Sequence, residues 1–80
     1  MTLYTKPDCS LCDDALRVLE GVRRERPFEL EKVDISASEE LRDLYGERIP
    51  VVALGGEPKI ELHVDERQVT ALLDLAEARE

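Results

Sequence analysis

Two cysteines, Cys9 and Cys12, stand with Ser10-Leu11 between them. Their use depends on where the backbone holds them. A short β-type run, Thr2 to Thr5, is broken by Lys6-Pro7-Asp8, and a helical pattern starts at Ser10. The pair therefore falls where a strand passes into a helix. At that point the first backbone N–H groups of the helix have no internal partner. Together with the helix dipole they stabilise an anion, here a Cys9 thiolate. Such surroundings lower a thiol pKa from about 8.5 into a range of roughly 3.5–7.5. Cys12 lies one turn further in, close to Cys9 and more buried. This arrangement predicts that Cys9 attacks a substrate disulfide and that Cys12 resolves the mixed disulfide.

The neighbouring charges oppose one another. Lys6 favours the thiolate, whereas Asp8 and Asp13 disfavour it. Asp13 and Asp14 also complement the dipole as acids of a first helical turn. Cys9 is accordingly expected to be less acidic than a cysteine flanked only by basic residues. A second feature is Arg48-Ile49-Pro50, just ahead of an apolar run. A proline opening an interior strand is unusual unless it serves a turn or avoids a ladder position. With a cis Ile49–Pro50 bond, this loop would point backbone groups at a substrate lying over Cys9. An extended peptide or glutathione would then pair with it as a short added strand. Arg48 is read as a surface ion pair or as a guide for an anionic partner.

The elements that must position these residues follow from periodicity. Leu11, Ala15, Val18, Leu19 and Val22 mark one helical face, which runs to Arg26 and ends at Pro27. Phe28 to Ile35 reads as a strand, but Val33 and Ile35 are out of phase with Phe28 and Leu30. A bulge, or burial on different faces at the two ends, would account for this. Ser36 and Glu39 have capping-box spacing ahead of a short helix with Leu41, Leu44 and Tyr45, and Gly46 suits its end. Pro50 to Leu54 is an interior strand. After the Gly55-Gly56 hairpin, Lys59 to Val64 alternates, with Ile60, Leu62 and Val64 expected inward and His63 outward. Asp65 and Gln68 cap a last helix whose stripe is Val69, Leu72, Leu73 and Ala76. The predicted order is β-α-β-α-β-β-α. It folds into a four-stranded mixed sheet flanked by three helices, one domain spanning residues 1–80.

Composition narrows the function. The chain has 80 residues, 19 acidic and 11 basic, for a net charge of −8. That charge repels a phosphate backbone, so nucleic acid is not an expected partner. No apolar stretch approaches the roughly 20 residues needed to cross a bilayer, and the N-terminus has no signal-peptide pattern. A cytoplasmic protein without a membrane partner is expected, and two cysteines in that compartment point to redox or metal chemistry. A structural zinc usually takes four protein ligands. Only His63 could join the cysteines, and it sits on an outward position, so no bound metal is expected. Charged outward residues on the last strand favour a monomer.

Over essentially its whole length the chain resembles the glutaredoxin branch of the thioredoxin superfamily. The resemblance rests on YTKPDCSLC before a helix, then RIPVV, a hairpin and a last helix. Tyr4-Thr5-Lys6-Pro7 is also similar to small redoxins that reduce ribonucleotide reductase. The C-x-L-C motif with RIPV is similar to compact glutaredoxin-like proteins. The resemblance implies a thioredoxin-like α/β fold and an enzyme, a thiol–disulfide oxidoreductase acting on protein disulfides or glutathione mixed disulfides. It implies Cys9 as nucleophile, Cys12 as resolving cysteine and Pro50 as the cis-proline. Lys6 would contact a glutathione carboxylate, the Ile49 backbone would hold the ligand's cysteine, and Asp65 would hold its amino end. Where glutathione-using members carry Gly-Gly, this chain has Leu62-His63-Val64 ahead of Asp65. No tightly bound cofactor is implied. The reductant would be glutathione with its reductase, or a thioredoxin reductase. Two other readings remain: an iron–sulfur cluster shared between two protomers with glutathione, and a redox-sensing binding module without turnover.

Overall fold

A computed structural model of the chain describes residues 1–78. Its elements are β1 (Thr2–Thr5), α1 (Ser10–Glu25), β2 (Glu31–Asp34), a 3₁₀ turn (Ile35–Ala37), α2 (Glu39–Tyr45), β3 (Val51–Leu54), β4 (Glu57–Glu61) and α3 (Glu66–Ala78). The strands form one sheet in the order β2-β1-β3-β4. β1 and β2 are parallel, while β3 runs antiparallel to both β1 and β4. This is the expected mixed four-stranded sheet with three helices. No helix among the described residues is long and apolar enough to cross a membrane.

Strand alternation divides the interior in two. Successive side chains of a strand face opposite sides of the sheet. Leu3 and Val52 face one side, where they pack with Ala15, Leu19 and Val22 of α1 and Val69, Leu72 and Leu73 of α3. Val51 faces the other side, where it packs with Cys12, Ile35 and Ile49, and with the half-buried Tyr4, Cys9, Leu41 and Tyr45. Cys12 belongs to α1 yet joins this second cluster. The start of α1 therefore lies where the two cores meet, beside the segment that leads into β3.

Several local expectations need correcting. Regular strand covers only Glu31–Asp34 of the Phe28–Ile35 run. Phe28 and Leu30 pack on the α1/α3 side and Ile35 on the α2 side, so burial on different faces explains the phase break. The cap of α2 is Ser38, not Ser36: its hydroxyl accepts the Leu41 N–H at 3.3 Å. Ser36 is held instead by Asp34, which accepts its N–H at 2.9 Å and its hydroxyl at 2.6 Å. Gly46 continues in right-handed geometry, with φ −53°. A Cβ there would meet the Arg42 carbonyl oxygen at 2.5 Å, which is why the chain needs glycine. The Gly55-Gly56 turn does use positive φ, 61° and 81°, as the tight hairpin turn with two left-handed residues requires. Leu62 lies beyond β4 and is exposed rather than inward.

Candidate active site

β1 ends at Thr5, and Lys6-Pro7-Asp8 carries the chain from the end of this interior strand to α1. Asp8 turns it with φ 58°, a left-handed conformation that Asp tolerates better than most residues. Cys9 follows in extended geometry as the cap of α1. Its Sγ accepts the Cys12 N–H at 3.2 Å, and its carbonyl accepts the Asp13 N–H at 3.1 Å. Cys9 thus fills the place that Ser, Thr, Asp or Asn usually takes. The two sulfurs are paired as a disulfide and the Cα atoms are 5.2 Å apart, within the span such a bond allows. Cys9 is half-buried, whereas Cys12 is only 2% exposed.

The second side of the site is the segment from α2 to β3. The Ile49–Pro50 bond is cis. Ile49 and Pro50 are both buried, and Ile49 shares a cluster with Cys12. The Leu62 N–H donates to the Pro50 carbonyl at 2.9 Å and to the Arg48 carbonyl at 3.2 Å. These bonds fix the segment from both ends, and the Ile49 amide between them lies outside that network. Arg48 forms the ion pair anticipated from sequence, with Glu61 at 2.6 Å. It also lies over the Tyr45 ring, 5.4 Å from its centroid, and Tyr45 stacks on Tyr4 at 4.6 Å. This ladder braces the turn against β1. Sequence places Tyr4 in the first strand and Tyr45 on the short second helix, but nothing in the spacing of Tyr4, Tyr45 and Arg48 announces the stack.

The remaining sequence-selected residues lie around this centre. Lys6 is exposed and lines a shallow cleft of about 270 Å³ with Asp8, Asp13, Lys32 and Asp34. Hydrogen bonds from the Ser36 hydroxyl and N–H hold the Asp34 carboxyl below the usual range. Asp14 is paired with Arg17 at 2.9 Å. Asp65 is exposed at the start of α3, where it completes the expected capping box. Its Oδ1 accepts the Gln68 N–H at 2.8 Å, and Gln68 accepts the Asp65 N–H at 3.0 Å. The turn from Leu62 to Asp65 is docked on the Pro50 segment through Leu62, but no contact brings Asp65 to the cysteines. His63 is exposed. Among the described residues no group of three or more His, Cys, Asp or Glu is arranged to hold a metal ion.

Chemically, a half-buried cysteine whose sulfur accepts a helix N–H, beside a buried cysteine within bonding reach, is an arrangement suited to exchange between dithiol and disulfide. The family model described as Glutaredoxin-like domain (DUF836) matches residues 1–74. The X-ray structure of protein XcR50 from X. campestris is 31% identical with a TM-score of 0.78, covering 92% of this chain and 95% of that one. The solution NMR structure of protein Ne2328 from Nitrosomonas europaea is 27% identical with a TM-score of 0.74, covering 89% of this chain and 86% of that one. No curated protein matches the sequence.

Proposed function

The chain belongs to the glutaredoxin-like family, and on that basis we propose that it is a thiol–disulfide oxidoreductase in which Cys9 attacks and Cys12 resolves. One observation carries the assignment of roles. Cys9 is the less buried residue of the two and its sulfur accepts the Cys12 N–H at 3.2 Å, while Cys12 is 2% exposed. In the reduced protein, that N–H and the start of α1 stabilise negative charge on Cys9.

The Cys9 thiolate attacks one sulfur of a protein or glutathione mixed disulfide. The substrate S–S bond breaks, one substrate thiolate leaves and takes up a proton, and a Cys9–substrate disulfide forms. Cys12 loses its proton and attacks the Cys9 sulfur. The second substrate thiol is released, and the Cys9–Cys12 disulfide carries the two electrons' worth of oxidation. An external dithiol or thiol then restores the pair, either glutathione with its reductase or a thioredoxin reductase. Glutathione thus acts as reductant or substrate, not as a resident cofactor. Repeated re-reduction suits a reducing compartment such as the cytoplasm. Both cysteines come from one chain, so a monomer suffices.

The Ile49 backbone, beside Pro50, receives the substrate main chain as a short added strand. Lys6 meets a substrate carboxylate. Asp65 meets an amino group through whatever acceptor capacity its capping bond leaves. The direct test is trapping. Cys12→Ser is expected to accumulate a mixed disulfide on Cys9, read by intact mass and peptide mapping, whereas Cys9→Ser accumulates none. An adduct that forms on Cys12 in Cys9→Ser, with none on Cys9 in the converse variant, would reverse the roles.

A further inference from the structure

Leu62 occupies a backbone conformation that a residue with a Cβ disfavours. Its φ is 66°, in the left-handed region that L-residues other than Gly, Asn and Asp rarely enter. One donor holds it there: the Leu62 N–H reaches the Pro50 carbonyl at 2.9 Å and the Arg48 carbonyl at 3.2 Å. The fold therefore keeps this turn on the Ile49–Pro50 segment at the expense of local strain. The side chain nevertheless stays 43% exposed. A single exposed leucine needs no explanation, but one held outward in a strained turn does, because strained positions cluster at sites of binding.

Leu62 is not alone at this end of the molecule. Leu11, 39% exposed, lies between the two cysteines. Leu44, 50% exposed, lies in the last turn of α2, and its carbonyl accepts from Arg48 Nη1 at 3.4 Å. Arg48 thus links Leu44 to Leu62, and the cluster of Ile49 with Cys12 links both to the helix start that carries Leu11. The balance of charge is negative: the cleft beside the dithiol holds Asp8, Asp13 and Asp34 against Lys6 and Lys32, and the chain carries −8 overall.

We propose that Leu62 determines specificity at the dithiol, favouring an extended protein segment with an apolar residue next to its disulfide cysteine, uncharged or basic beyond, over glutathione. The inference rests on the dithiol reading above. The segment's main chain pairs at Ile49, and its apolar side chain covers Leu62. Glutathione offers no such side chain and brings two carboxylates to an acidic surface.

The test is stopped-flow exchange of the reduced protein with three disulfides of one reporter thiol. The first partner is a peptide with Leu beside its cysteine and Lys beyond, the second has Ser for that Leu, and the third is glutathione. The wild-type protein is expected to react fastest with the Leu peptide. Leu62→Gly suits the left-handed turn, and Leu62→Asn tolerates it while presenting a polar side chain. In both, the Leu-peptide to glutathione rate ratio is expected to fall by about 5- to 10-fold, as partial loss of a leucine contact implies. A wild-type protein that does not prefer the Leu peptide over the Ser peptide overturns the inference and leaves the dithiol reading intact. A preference retained in both variants does the same. Absence of exchange with all three disulfides removes the dithiol reading and this inference together.

Discussion

Cys9 performs two tasks with one sulfur, capping α1 and carrying the proposed chemistry, and the two are separable by substitution. Under reducing conditions, Cys9→Ser preserves an acceptor for the Cys12 N–H and is expected to unfold in denaturant close to the wild-type midpoint. Cys9→Ala removes the acceptor and is expected to cost about 1 kcal/mol. Equal stability of the two variants would show that the 3.2 Å contact contributes nothing. Asp34 is a second residue whose local role has a measurable sign. The Ser36 hydroxyl and N–H favour its ionised form and lower its pKa. Because the folded-state pKa lies below the unfolded value, near 3.9, the stabilisation is present above that value. It is lost as pH falls through the folded-state pKa. Wild type is therefore expected to be more stable than Asp34→Asn at pH 7, and the two should converge in strong acid. A gap that stays constant into acid would contradict this. The cysteine pair and the Arg48-Ile49-Pro50 turn were legible in sequence because each is a local pattern with a known backbone consequence. Leu62 was misread as inward because period-2 alternation says nothing about where a strand stops. β4 ends at Glu61, and the two hydrogen bonds that turn Leu62 outward come from residues far away in the chain.

The elements were most legible where periodicity and caps agreed. The Ala15, Leu19 and Val22 face of a helix ending before Pro27, the Asp65/Gln68 box and the two-glycine hairpin stand as expected, whereas Leu11, placed on that face, is 39% exposed. The stretch after β2 was less so. Ser36 and Ser38 both offer a hydroxyl ahead of α2, and the choice falls to Asp34, which takes Ser36 and inserts a 3₁₀ turn. α1 and α3 show which kind of contact holds the fold. Arg26 at the end of α1 reaches Asp74 and Glu77 of α3, each at 2.8 Å. Their hydrogen bonds raise its pKa. Both carboxylates are largely exposed, so the bridge is expected to be weak and screened by salt. Leu19 is fully buried between the same two helices and the sheet. Leu19→Ala is accordingly expected to cost about 2–5 kcal/mol, while Arg26→Ala should shift the denaturation midpoint slightly at low salt and not at all in 1 M salt. A larger loss from Arg26→Ala than from Leu19→Ala would invert this ranking.

At the scale of the whole molecule, 80 residues with a radius of gyration of 12.1 Å leave no room for a deep pocket. The dithiol sits on the surface where two small cores meet, and a substrate must bring much of its own binding surface to it. The net charge of −8 then acts on every encounter. Repulsion of an anion weakens with ionic strength, so the rate of Cys9 exchange with a glutathione disulfide is expected to rise with salt. Exchange with a lysine-rich peptide disulfide should fall. The opposite trends would mean that Lys6 and Lys32, rather than the overall charge, set the local field. The most direct measurement of the central claim is recycling. Oxidised protein is supplied with NADPH, a small disulfide acceptor, and either glutathione with glutathione reductase or thioredoxin reductase. Catalytic NADPH consumption in one of the two systems, abolished in Cys9→Ser, is the expected result. Stoichiometric oxidation without turnover in both systems, or turnover that survives Cys9→Ser, would contradict a Cys9-centred oxidoreductase.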